Sequence, residues 1–171
     1  MRMFGIIMIL AASISLGECF SKDRKKRMEM LSALREAITY MMEEIRYLET
    51  PLMQILTSEK MKQHSDLQVF FEIVAEELKK FQGKNLDEIM KENCNLLKNH
   101  AGLLQKDCDQ LILYLGQLGG MNKTMQMKLL ERYEKELERQ IEDARKEYED
   151  NAGLYRRMGL LGGLFLGILL L

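Results

Sequence analysis

Apolar residues recur at alternating steps of three and four through Leu31, Leu34, Ile38, Met41, Ile45, Leu48, Leu52 and Ile55. That is the period of a helix packing one seam against its neighbours. Thr50-Pro51 interrupts the run, because the residue before a proline avoids the helical region, while Thr as N-cap and Pro at the first position suit a new start. The pattern predicts a first helix ending near Glu49 and a short second one opening at Pro51. Ser65 with Gln68 resembles a capping box; Leu67, Phe70, Phe71, Val74, Leu78 and Phe81 then share one face before Gly83. This third, aromatic-rich helix should be central to the core.

Asn85 with Glu88 repeats the start signal for a fourth helix through Leu96 and Leu97, expected to fray around Asn99 to Gly102. A fifth helix carries Leu111, Ile112, Leu115 and Leu118, and Gly119-Gly120 breaks it. Neither Pro nor Gly then occurs until Gly153, and Tyr133, Leu137, Ile141, Ala144, Tyr148, Ala152 and Tyr155 hold one stripe. Their mean spacing, near 3.67 residues, keeps the stripe on one side of a nearly straight helix. A single helix from Asn122 into the C-terminal segment is predicted, its other faces being solvated charge such as Glu131-Arg132 and Glu134-Lys135-Glu136. The fold class is all-α, a compact bundle of about six helices flanked by N- and C-terminal membrane helices.

The flanking segments are apolar and meet the middle through basic residues. Met3 to about Phe20 is followed by Lys22, Arg24, Lys25, Lys26 and Arg27, and Met158 to Leu171 is preceded by Arg156 and Arg157. Lysine and arginine beside a membrane segment resist translocation, so the intervening domain should be cytoplasmic. The organisation is a transmembrane anchor over 1–21, a cytoplasmic helical domain over 22–153 and a hydrophobic membrane segment over 154–171. Leu16-Gly17-Glu18-Cys19 resembles a lipoprotein cleavage box, but Glu18 stands where a small residue is wanted. An exported or lipid-anchored helical protein acting outside the membrane is the alternative reading. The C-terminal run reaches about 21 Å as a helix against a hydrocarbon core of ~30 Å, so spanning needs snorkelling by the flanking arginines and local thinning. Gly159, Gly163 and Gly167 lie on one face of it. They form a seam for close approach of another helix, or reflect only the frequency of glycine in membrane helices.

Composition agrees with long helices: one Pro, no Trp, and a formal net charge of −1 with neither a basic footprint nor an acidic tail. Nucleic acid is not expected as a partner. The roughly 130 residues between the ends suffice for one core. Cys19, Cys94 and Cys108 have no ligand-like spacing and are too few for a disulfide scaffold, so Cys94 and Cys108 read as small hydrophobes on helix faces.

Chemistry for catalysis is missing. His64 and His100 have neither a Glu three residues before nor a second His at helical spacing, which excludes the di-metal bundle and zinc protease patterns. Gly119 to Thr124 is unlike a phosphate-binding loop, with Gln117 and Asn122 at glycine positions and a helix where a strand should precede. Adjacent acids such as Glu43-Glu44 point apart on a helix. No enzyme, cofactor or metal site is expected.

Leu34 to Leu52, ending in Glu43-Glu44-Ile45-Arg46-Tyr47 and Thr50-Pro51-Leu52, resembles the first-helix signature of the stage III sporulation protein AB family. Leu115-Gly116-Gln117-Leu118-Gly119 followed by Gln126 resembles that family's Leu-Gly, Leu-Gly and Gln pattern, and Met158-Gly159-Leu160-Leu161-Gly162-Gly163 is similar to its ending. The resemblance covers essentially the whole chain. It departs at the long Gly119-Gly120 joint and the tail glycine repeat.

The resemblance implies a non-enzymatic component of a secretion-like complex in the mother-cell membrane around the engulfed forespore, required for late forespore gene expression. It implies a cytoplasmic domain similar to the F-type platform proteins of type II secretion and type IV pili. The implied partner is a cytoplasmic secretion-type ATPase, stage III sporulation protein AA, linked through this domain to a membrane channel, with other stage III sporulation proteins alongside. The joint bearing Gly116, Gly119, Gly120 and Lys123 is the candidate partner surface, because a joint between helices exposes backbone.

Overall fold

The computed structural model describes the backbone of residues 2–62, 65–80 and 83–169, and the side chains of residues 23–61, 66–80 and 83–149. Six α-helices run in order: α1 Arg2–Glu43, α2 Leu52–Leu56, α3 Ser65–Lys79, α4 Leu86–Ala101, α5 Gln105–Leu115 and α6 Lys123–Leu169. A π turn over Glu44–Leu48 follows α1, and 3₁₀ turns cover Glu59–Lys62 and Leu118–Gly120. No strand occurs among the described residues.

The apolar seams become one core. Leu31, Leu34, Ile38, Met41 and Ile45 of the first seam are buried, joined by Phe70, Phe71 and Val74 of α3 and by Leu130, Tyr133 and Leu137 of α6. Phe70 and Phe71 meet edge to face at 5.3 Å between ring centres, a geometry that sets one ring's positive edge on the other's negative face. Tyr133 stacks on Tyr114 of α5 at 4.9 Å. Cys94 and Cys108 are buried free thiols, Cys108 Sγ lying 3.9 Å from the Cys94 carbonyl oxygen. Burial pushes the Cys108 thiol well above its ordinary pKa, so it packs as an uncharged small side chain.

Several helix ends follow their local signals. The Asn85 N–H donates to the Glu88 carboxylate at 3.1 Å, opening α4, and Asn122 Oδ1 accepts from the Met125 N–H at 3.0 Å, opening α6. The fourth helix does not fray before Gly102. It runs to Ala101, and Gly102 at φ 71° closes it by donating its N–H to the Leu97 carbonyl, a left-handed position that glycine reaches without a Cβ clash. The fifth helix ends at Leu115, so Leu118 is buried from the following 3₁₀ turn.

The end of the first helix also differs from expectation. Regular α geometry stops at Glu43, the π turn carries the chain to Leu48, and Glu49 takes a left-handed φ of 53°. Thr50 does not cap α2: its hydroxyl donates to the Glu44 carboxylate at 2.7 Å. The Pro51 carbonyl instead accepts from Gln54 and Ile55, and α2 begins one residue later, at Leu52. A π turn takes more residues per turn than an α-turn, so Leu48 rotates off the seam and is 69% exposed.

α1 and α6 run antiparallel, joined by a ladder of polar contacts. Arg46 meets Glu131 at 3.0 Å, Thr39 meets Glu134 at 3.3 Å, Arg35 meets Glu138 at 2.6 Å and Arg27 meets Glu147 at 3.0 Å. Only the last rung reaches the interior. Arg27 is 4% exposed and Asp107 fully buried, the guanidinium donating Nε to Oδ2 at 2.8 Å and Nη2 to Oδ1 at 2.9 Å. Asp107 Oδ2 also accepts the Leu104 N–H at 2.9 Å, which starts α5. The paired carboxylate raises the Arg27 pKa, mainly through its hydrogen bonds.

Among the described residues no helix is long and apolar enough to cross a membrane. The segments expected to do so, 1–21 and 154–171, together with Gly159, Gly163, Gly167 and Phe81, lie outside the residues whose side chains are described.

Removing one partner of a buried ion pair strands the other charge in a low dielectric, at a cost of roughly 3–5 kcal/mol. Asp107→Ala should therefore lower the unfolding free energy by about that much, read by chemical denaturation followed by circular dichroism, while Glu131→Ala at the exposed end of the ladder should cost under about 1 kcal/mol.

Candidate docking surface

The end of the domain opposite Arg27 is built from two irregular pieces of backbone, the π turn after α1 and the joint between α5 and α6. Glu49, held left-handed where the π turn closes, pairs with Lys123 at the start of α6 at 2.8 Å. The Lys123 ammonium holds the Glu49 carboxyl below the usual carboxylate range, chiefly through this hydrogen bond. Gln126 Nε2 donates to the Leu118 carbonyl at 2.8 Å, fixing the joint against the first turn of α6. The two pieces thus form one tip.

The four predicted surface residues do not share one environment. At Gly116 a Cβ would lie 2.6 Å from Asp87 Cβ and 2.9 Å from its Cα, so this glycine lets α5 approach α4 and is a packing residue. Gly119 and Gly120 have open space where a Cβ would point. Lys123 is exposed, but its charge is engaged by Glu49.

The more conspicuous features of the tip were not singled out from the pattern. Tyr47 is 74% exposed, Leu48 69% and Met125 57%. The apolar period puts Leu48 on the buried seam, and only the π turn reverses its side. The one local hint was the tight Thr50-Pro51 boundary, which limits how the preceding turn can end. Contiguous exposed apolar area, more than scattered single residues, marks a contact surface, and Tyr47 and Leu48 are neighbours in the chain.

Elsewhere, a groove of about 540 Å³ runs between α1, the Glu59–Lys62 turn, α3 and α6, floored by Ala33, Ala37, Met61, Leu67 and Ile141. None of its described lining residues is a histidine or cysteine. Among the described residues no three His, Cys, Asp or Glu side chains gather as metal ligands would. His100 is exposed and offers its backbone carbonyl to Lys26 Nζ.

A family model described as Stage III sporulation protein AB matches residues 2–171 of the chain. No curated protein and no solved structure matches it.

Gly116→Ala should destabilise the domain by about 1–3 kcal/mol through overpacking against Asp87. Gly119→Ala and Gly120→Ala should stay within about 0.5 kcal/mol of the parent. Thermal unfolding of the three variants side by side decides this.

Proposed function

Because this chain belongs to the stage III sporulation protein AB family, we propose that it is a non-enzymatic membrane component of a secretion-like sporulation complex between mother cell and forespore. In this reading residues 1–21 and 154–171 hold it in the mother-cell membrane, Gly159, Gly163 and Gly167 pack against channel helices, and the helical domain lies in the cytoplasm. There it acts as an adaptor or platform of the F type, docking the secretion-type ATPase stage III sporulation protein AA and linking it to the channel.

The observation that carries the docking role is the tip, where Tyr47, Leu48 and Met125 stand in solvent beside the Glu49–Lys123 pair. It lies at the end of the α1–α6 ladder away from Arg27, hence away from the chain's basic-flanked ends. A membrane-held domain offers that end to the cytoplasm most freely.

Binding of the full chain in detergent to the purified ATPase tests this directly. Replacing Tyr47 and Leu48 together by Ala should weaken binding by about tenfold or more, as for central apolar contacts, without altering the helical spectrum. A folded chain that shows no interaction with the ATPase would sink the adaptor reading.

Topology needs its own measurement. Cys94 and Cys108 are buried and poor reporters, whereas Glu76 on α3 is exposed. A Glu76→Cys chain in a Cys19→Ser background should resist a membrane-impermeant thiol reagent in intact cells and react after lysis. Labelling without lysis would instead support the exported alternative.

A further inference from the structure

On α1 the outward residues Glu36 and Glu43 are exposed and have no ion-pair partner among the described residues. On α6 the outward stripe is basic: Lys128, Arg132, Lys135 and Arg139 are all exposed, and among the described residues only Arg139 of these is paired, with Glu136 and Asp143. At ~100° per residue, Glu36 and Glu43 lie opposite the buried Leu34, Ile38 and Met41, and the basic stripe lies opposite Leu130, Tyr133 and Leu137. The row joining the helices, Arg35 with Glu134 and Glu138, sits between the two stripes. One face therefore carries an acidic and a basic stripe side by side, roughly one interhelical distance of 8–10 Å apart, with Glu36 and Glu43 also on the rim of the groove described above.

The stripes also match in height. By the α1–α6 ladder, in which Arg46 meets Glu131 and Arg35 meets Glu138, Glu43 stands level with Arg132 and Glu36 with Arg139. Each pair of charges is spaced by seven residues, about 10.5 Å along a helix, and Lys135 lies between the two rungs. Within one chain these charges are held apart by the Arg35 row.

We propose that this face is self-complementary and that a second copy of the chain docks on it about a two-fold axis parallel to α1 and α6, Glu43 and Glu36 of each copy meeting Arg132 and Arg139 of the other. The axis follows from charge. A two-fold lying across the helices would set α1 on α1 and oppose acid to acid, a juxtaposition that like-charge repulsion disfavours. The parallel axis sets acid on base in both directions at once, which is the closed, isologous form that limits assembly to a dimer. It also keeps the two tips at one end, so the docking surface described above stays free in both copies.

The test uses the full chain in detergent, its mass followed by sedimentation equilibrium. The parent should be a dimer that loosens with added salt, since its contacts are exposed ion pairs. Glu36→Lys with Glu43→Lys should raise the dissociation constant at least about tenfold, and so should Arg132→Glu with Lys135→Glu and Arg139→Glu. Mixing these two opposed variants should restore dimers containing one of each, because the first then presents only bases and the second, Lys128 apart, only acids. Circular dichroism confirms that both variants keep the fold. A parent that is monomeric at every concentration reached overturns the proposal. So does a dimer indifferent to the reversals, or a mixture that stays monomeric.

Discussion

A guanidinium carried out of water must find its charge and its hydrogen bonds answered at once, and in this domain Arg27 finds both in Asp107. The pair costs desolvation that its attraction only partly offsets, so its value lies in position more than in stability. Asp107 is also the residue that caps α5 through the Leu104 N–H. Arg27 reaches Glu147 of α6 with its remaining nitrogen. One buried node thus aligns three helices, and the register of α1 against α6 above it follows rung by rung.

That register decides what each end of the bundle can do. At the buried end the contacts are inward and bidentate, suited to holding two long helices together where the chain's apolar ends adjoin the domain. At the far end the ladder reaches solvent, and the backbone becomes irregular. The π turn releases Tyr47 and Leu48 from the core, and Gly119 and Gly120 of the joint have open space where a Cβ would point. Rigidity and accessibility are separated along one axis, as the proposed adaptor role would use.

Much of the helix layout was legible in the pattern. The seam from Leu31 to Ile45, the α3 face with Phe70 and Phe71, the Asn85-Glu88 start and the α6 stripe from Tyr133 to Ala144 all appear where their spacing places them, while Ala152 and Tyr155 lie outside the residues whose side chains are described. Cys94 and Cys108 pack as the small hydrophobes that their spacing implied. The candidate surface was legible only in outline. Its joint is exposed, but Gly116 belongs to the α4–α5 contact, and the apolar residues that distinguish the tip were hidden by a seam that runs on through Leu48 in sequence and stops at Ile45 in space.

Spacing and capping chemistry are local, so the sequence by itself determined which stretches are helical, which face of each is apolar and roughly where each begins. The tertiary structure alone decided which of Arg24, Lys25, Lys26 and Arg27 is buried, because Arg27 is distinguished from Lys25 or Lys26 only by Asp107, 80 residues away. It alone turned Leu48 outward and Gly116 inward, since a widened turn and a close interhelical approach depend on neighbours that no local period records. A periodic pattern reports how much of a helix must be buried, averaged over several turns. Which side chain at the end of that helix meets a partner, and which is left to water, is settled by the helices that pack around it.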